Sequence, residues 1–256
     1  MNAVIAIPAY NCAAQIGRVL DEIPHDVAER VSEIWVIDNR STDDTLERAL
    51  EHRRSDRLPN LRVFRTRQNN SLGGTHKVAF EHARAAGHTH VIILHGDNQA
   101  RSDEVALLLD RAEASPDTQT VLGSRFSRRS RLQGYDAKRV WGNRVLNAVY
   151  SVVALRPLQD LGSGLNLFAL RDLDPATYLR FADTLTFNYE LILDLVARRV
   201  RFAFVPITWR EEDQVSNARN WNIFRTALRN LALWRLGRAT SAPAAEPRDY
   251  EWDEVQ

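Results

Sequence analysis

Along the first half of the chain, apolar positions come in two rhythms. Short runs rich in Val, Ile and Leu occur at 3–7 (AVIAI), 33–37 (EIWVI), 61–65 (LRVFR), 90–94 (HVIIL) and 120–123 (TVLG). Runs of this length, bounded by turn residues, predict buried strands. Between them, segments 13–22, 43–54, 74–86 and 102–114 place apolar residues at helical spacing. The second of these helices has a start signal: Ser41 or Thr42 can cap it. Asp43 and Asp44 then fall in its first turn, where the helix dipole favours negative charge. Strands alternating with helices predict right-handed βαβ units and a mainly parallel sheet. Such sheets bind ligands beyond the carboxyl ends of their strands. Polar clusters stand at three of those ends: Pro8-Ala9-Tyr10-Asn11, Asp38-Asn39-Arg40-Ser41 and His95-Gly96-Asp97-Asn98-Gln99.

After residue 124 the texture changes. Segment 123–139 is polar and basic and predicts a loop; its Arg125, Arg128, Arg129, Arg131, Lys138 and Arg139 suit a mobile lid over phosphate. Helical spacing returns at 139–154 and 188–199, with strands expected at the end of 157–172 and at 201–207. Residues 219–236 predict an amphipathic helix. Its Trp221, Ile223, Phe224, Ala227, Leu228, Leu231 and Trp234 recur every three or four positions beside Arg219, Arg225, Arg229 and Arg235. That pattern suits either contact with a membrane surface or packing on a core. The stretch 237–256 carries four Ala, two Pro and alternating acids and predicts a disordered tail.

Composition narrows the function classes. The 256 residues suit one large domain or two small ones, and the formal charge of +1 does not mark a polyelectrolyte binder. No aromatic ladder accompanies the basic segment, so nucleic acid is not an expected partner. A single cysteine, Cys12, forbids an internal disulfide. The first residues lack a basic segment followed by a long apolar one, and no window is long and apolar enough to span a bilayer. A cytoplasmic protein is expected, peripheral at the inner face of the membrane if 219–236 touches lipid.

Candidate chemistry begins at Asp97 and Gln99. Hard oxygen donors at a strand end suit Mg²⁺ or Mn²⁺ bridging the phosphates of a diphosphate leaving group. Capping of the next helix is the plainer role for Asp97. Asp38, after the second strand, can accept hydrogen bonds from a nucleobase or ribose, or cap a helix. The loop NNSLGGTHK (69–77) opens a helix, so its N–H groups and Lys77 can approach an anion; Gly73 and Gly74 can equally supply positive φ. His76, His82, His88, His90 and His95 crowd one third of the chain, at spacings that fit no common zinc pattern. The glycine fingerprint of dinucleotide oxidoreductases is absent after the first strand.

Taken in order, the motifs resemble the family 2 inverting glycosyltransferases of GT-A fold, in particular dolichyl- or polyprenyl-phosphate sugar synthases that lack transmembrane helices. IPAYN (7–11) is similar to I-P-x-Y-N. VIDNRSTDDT (36–45) is similar to V-D-D-x-S-x-D-x-T, with Asn39 for the second Asp. NNSLGGTHK matches N-x-G-x-G-G-x-x-K, with Ser71 for the first Gly. HGDNQ (95–99) resembles D-x-D-x-Q, with His95 at its first place. GSRF (123–126) matches G-S-R-[FY], and DLGSG (160–164) resembles D-x-x-S-G. VPITWREEDQVSNARN (205–220) resembles P-I-x-x-x-x-R-x-x-G-x-S-K without its Gly and Lys.

The resemblance implies an α/β single domain over 1–236, Rossmann-like, with a mainly parallel mixed sheet flanked by helices. Its nucleotide-binding half is 1–124 and its acceptor half 125–236. It implies transfer of a hexose from a GDP- or UDP-sugar, with inversion and a divalent metal, to polyprenyl phosphate. Pro8, Tyr10, Asn11, Asp38, Lys77, Gly96 and Asp97 are the residues expected on the nucleotide sugar. Asp97, Gln99 and His95 are those expected on the metal. Asp97, Asp160 and Arg125 are expected in catalysis, and Ser163, Glu190, Arg210 and Arg219 on the acceptor. Alternatives are transfer to a hydroxyl of a glycan or small molecule, and a catalytically silent nucleotide-sugar binder, which His95 and Asn39 keep in play.

Overall fold

The structure is a computed structural model and describes residues 1–211, 220–240 and 249–256. The first half alternates as its pattern predicts: β1 (Ala3–Ala9), α1 (Ala13–Asp21), α2 (His25–Glu29), β2 (Glu33–Asp38), α3 (Thr45–Arg54), β3 (Leu61–Thr66), α4 (Ser71–Ala85), β4 (His90–Leu94), α5 (Val105–Glu113) and β5 (Thr120–Ser124). The second half adds β6 (Arg131–Gln133), α6 (Ala137–Ala154), β7 (Leu165–Ala169), α7 (Pro175–Tyr178), α8 (Phe187–Ala197), β8 (Phe202–Pro206), β9 (Thr208–Arg210), α9 (Asn220–Arg235) and β10 (Trp252–Glu254).

Eight strands form one sheet in the order β10-β3-β2-β1-β4-β7-β5-β8, and β6 pairs with β9 in a small separate ribbon. Strands β3, β2, β1 and β4 are parallel. Strand β7 enters antiparallel between β4 and β5. Both faces of the central strands are buried, as parallel sheets require. In β1, Ala3, Ile5 and Ile7 join one core while Val4 and Ala6 join the other. The reversal of β7 matters for the site. It sets Leu165, the first residue of β7, opposite Leu94, the last of β4. The preceding turn, 160–164, is thereby delivered to the carboxyl end of β4, where Asp97 stands.

Three expectations change. First, the loop 123–139 contains β6, held by pairing with Thr208–Arg210, so it is not a free lid along its whole length. Second, residues 249–256 do not form a disordered tail. Trp252 of β10 stacks on Phe64 (centroids 4.0 Å apart) and on His82 (4.1 Å), and meets Trp35 edge-on at 5.0 Å. Third, α9 turns its apolar face inward. Ala227 and Leu231 are buried, and Ile223, Phe224, Leu228 and Trp234 pack against the same core. The Tyr150 hydroxyl of α6 donates to the Ala227 carbonyl at 2.7 Å. The face expected on lipid is the packing face. No helix among the described residues is long and apolar enough to cross a membrane.

Candidate active site

A cavity of about 410 Å³ opens at the carboxyl ends of β1, β2 and β4. Its walls come from four successive strand-to-helix turns and from Thr184 and Leu185 ahead of α8. Each turn contains a non-glycine residue at positive φ: Asn11 (49°), Arg40 (64°), Ser71 (57°) and Asn98 (57°). Such backbone costs of order 1–3 kcal/mol at each position and clusters where a ligand is held. Ser71 occupies the place where the resembled motif has Gly, and it adopts the conformation that Gly would take without strain.

Of the residues expected on the nucleotide sugar, Pro8, Tyr10, Gly96 and Asp97 line the cavity. Tyr10 is half exposed at its mouth. Asn11 stands at the edge, where its side-chain oxygen accepts from the Thr42 N–H at 2.8 Å. Asp38 does not reach the cavity. Its carboxylate is fully buried, accepts from the Ser41 N–H at 3.1 Å and pairs with Arg65 Nε at 3.0 Å. The next residue, Asn39, lines the wall instead and holds the 69–71 turn: its Oδ1 accepts from the Asn70 N–H at 2.8 Å.

Lys77 also points elsewhere. Helix α4 begins three residues earlier than the pattern suggests, with Gly73 and Gly74 inside it. A Cβ on Gly73 would stand 2.5 Å from Phe187 Cβ, so those glycines serve close packing and not positive φ. The shift buries Lys77 one and a half turns into the helix. There it pairs with Asp183 at 2.7 Å and donates to the Phe181 carbonyl at 2.6 Å and to the Tyr250 hydroxyl at 3.3 Å.

Asp97 is half-buried on the cavity wall. Its Oδ1 accepts from the Gln99 N–H at 3.2 Å, and no cationic side chain among the described residues pairs with it. The Gln99 amide turns away and donates to Glu211 at 3.4 Å. His95 lines the cavity, but its Nε2 meets Nε2 of buried His76 at 3.1 Å, and its Nδ1 would stand 2.6 Å from a Cβ on Gly164. Burial lowers the pKa of both imidazoles; for His95, Asp97 opposes the shift and Arg125 adds to it. The bond needs one ring to donate and the other to accept, so at least one imidazole is neutral, and burial favours the neutral form of both. Cys12, on the same wall, is pushed up to about 12 by burial and by Asp97, so it stays a neutral thiol and no nucleophile.

The described residues contain no group of three or more His, Cys, Asp and Glu that could hold a metal alone. Asp97 is the one expected ligand whose side chain faces the cavity unpaired. A single carboxylate fits a hard cation whose other positions are filled by diphosphate oxygens and water.

On the acceptor side the expected groups are brought together but are already engaged. Asp160 receives Arg125 Nε at 2.8 Å, Arg125 Nη2 at 2.8 Å, the Arg125 N–H at 2.9 Å and the Gly162 N–H at 3.0 Å. Four N–H bonds match the capacity of a carboxylate. The Arg125 guanidinium is buried, lies 4.8 Å from the Trp209 ring centre, and is held above its usual pKa range by Asp160 against the cost of burial. Ser163 bonds within its own turn, to the Leu165 N–H at 3.2 Å. Glu190 is buried and accepts from the Ala182 N–H at 3.1 Å, bracing the loop that carries Thr184 and Leu185. Arg210 forks onto Glu22 at 2.8 Å and fixes the left-handed Asn98 through its Oδ1 at 2.8 Å. Arg219 lies outside the described residues.

Sequence reasoning missed Asn39, Asn69, Thr75, Thr184 and Leu185 as cavity residues. Asn39, Asn69 and Thr75 lie inside quoted motifs and were legible as neighbours. Thr184 and Leu185 carry no local signal, because a distant packing contact brings them in.

Residues 4–169 match the family described as Glycosyl transferase family 2. The dolichyl-phosphate beta-glucosyltransferase of Saccharomyces cerevisiae is 23% identical over 230 residues, which span 82% of this chain and 67% of the yeast protein. Among solved structures, glucosyl-3-phosphoglycerate synthase from Mycobacterium tuberculosis in complex with UDP superposes with a TM-score of 0.68 at 19% identity, over 93% of this chain and 81% of that one. The same enzyme in complex with Mn²⁺, UDP and phosphoglyceric acid gives 0.69 at 20% identity, over 93% and 79%. At these identities the structural likeness is one of fold, and it is the fold expected from the motifs.

Proposed function

The chain belongs to glycosyl transferase family 2, and on that premise we propose that it transfers a hexose, with inversion, from a nucleoside-diphosphate sugar to a polyprenyl phosphate. The donor occupies the cavity. Tyr10 and the left-handed turns at Asn11, Arg40 and Ser71 shape its nucleoside end, and Asp97 lies at its diphosphate end. A Mg²⁺ or Mn²⁺ bound to Asp97 would stabilise the charge that develops on the leaving diphosphate.

The observation that carries the choice of acceptor is the saturated Asp160 carboxylate. A hydroxyl acceptor needs a positioned base, because its own pKa lies far above 7. Asp160 has no lone pair left for a proton, and Glu190, Asp183 and Glu211 are each bonded elsewhere. A phosphate is already ionised and attacks without a base. Asp160 then acts through Arg125: it fixes the guanidinium and the 160–164 turn, whose Gly164 carbonyl accepts from the His95 N–H at 3.0 Å. The name of the yeast relative points to the same acceptor class.

The test is the pH profile of kcat with polyprenyl phosphate in detergent, for the parent and for Asp160→Asn. The expected result is one profile shape for both, the variant losing rate alone. Loss of the acidic limb, with a fall of about 10²–10⁴ in rate, would identify Asp160 as a base and a hydroxyl as acceptor.

A further inference from the structure

Helix α6 has two apolar faces, and only one of them is used in folding. Leu146 and Tyr150 are buried against the core shared with α9. On the opposite side, Trp141 is 71% exposed, Val152 72% and Leu155 86%. Positions 141, 145, 148, 152 and 155 advance by four and three residues in turn, so Trp141, Val145, Ala148, Val152 and Leu155 form one continuous stripe. Soluble domains seldom leave such a stripe to water without a use for it.

The charge around the stripe says what covers it. Segment 123–156 holds eight Arg and Lys and a single acid, Asp136. Arg125 and Arg139 are consumed by Asp160 and Glu211. Arg128, Arg129, Arg131, Lys138 and Arg144 are exposed and pair with no carboxylate among the described residues. An apolar stripe that includes Trp, flanked on the helix by the unpaired cations Lys138 and Arg144, fits the interface of an anionic bilayer.

The position of the helix relative to the cavity gives the contact a purpose. Arg139, in the first turn of α6, donates to Glu211 at 2.7 Å. Glu211 accepts from Gln99 at 3.4 Å, and Gln99 donates to Asp97 at 3.2 Å. We propose that the chain docks on anionic membranes through the solvent face of α6, which holds the Asp97 side of the cavity at the phosphate layer. The use of that docking rests on the lipid-phosphate acceptor; the docking itself does not.

The experiment is co-sedimentation of the full chain with vesicles of phosphatidylcholine, with and without phosphatidylglycerol, free of nucleotide and of polyprenyl phosphate. The expected result is binding to the anionic vesicles, weakened by salt and reduced at least about tenfold by Trp141→Asp with Val152→Asp. Brominated lipid should quench the parent's tryptophan fluorescence, and Trp141→Phe should remove that quenching while binding persists. Both substituted positions are exposed, and melting temperature checks the fold. The proposal is overturned if the parent stays in solution, if the double variant binds as the parent does, or if the variant turns a parental dimer into a monomer, which would mean that a second copy covers the stripe. Transfer to a short-chain, water-soluble prenyl phosphate separates the two readings. If it persists without vesicle binding, only the docking falls; if vesicle binding persists without transfer, only the acceptor falls.

Discussion

Arg125 closes on Asp160 with both its side chain and its backbone: Nε and the main-chain N–H reach Oδ2 at 2.8 and 2.9 Å, and Nη2 reaches Oδ1 at 2.8 Å. The pair is buried, so removing either partner strands a charge. Arg125→Ala and Asp160→Ala are each expected to cost about 3–5 kcal/mol. Urea unfolding measures this; a loss below about 1 kcal/mol in either variant would mean that the pair is not the clamp described here.

The His76–His95 pair makes stability depend on pH. Burial depresses both folded pKa values, so the unfolded chain takes up protons first as pH falls. Stability is then complete above the unfolded value of about 6.5 and declines below it, by up to about 1.4 kcal/mol per pH unit for each histidine that stays neutral in the fold. Urea midpoints between pH 8 and pH 5 should fall for the parent and fall less for His76→Leu. Parallel curves for the two proteins would contradict a neutral pair.

The C-terminal strand is structural. Trp252 contacts Phe64, His82 and Trp35, and Trp252→Ala should destabilise the fold by about 2–3 kcal/mol. Activity per folded molecule should stay at the parental value. Unchanged urea midpoints would show that β10 contributes nothing to the sheet.

The alternation of strands and helices was legible because buried parallel strands are continuous apolar runs, and the end of each run named the right turn. What was not legible depended on which way a side chain leaves its turn. Asp38 and Asn39 are neighbours in one motif, yet Asp38 faces Arg65 and Asn39 the cavity. Lys77 sits in a phosphate-like loop by sequence and in a buried ion pair by structure, because α4 starts at Ser71 and carries it inward. The apolar face of α9 was visible, but amphipathicity alone does not tell lipid from core. Alternating acids hid the strand in 252–254, since Trp252 is its one apolar side chain and Glu254 holds on through ion pairs to Arg62.

Asp97→Ala should leave the unfolding free energy from urea titration within about 0.5 kcal/mol of the parent, as expected for a change away from any buried ion pair. Transfer should fall at least about 10²-fold, and EDTA should reduce the parent to a similar level. A fully active variant, or a parent indifferent to EDTA, would remove both Asp97 and the cation from the site.

The most direct measurement compares two acceptors that differ only in the phosphate: a polyprenyl phosphate and the matching polyprenol, each offered with UDP- or GDP-hexose and Mn²⁺ while nucleoside diphosphate release and lipid-linked sugar are followed. An enzyme whose acceptor-side carboxylates are all engaged should glycosylate the phosphate and leave the alcohol untouched. Equal transfer to the alcohol would contradict the account, because it would require a base that Asp160, bound by four N–H groups, does not provide.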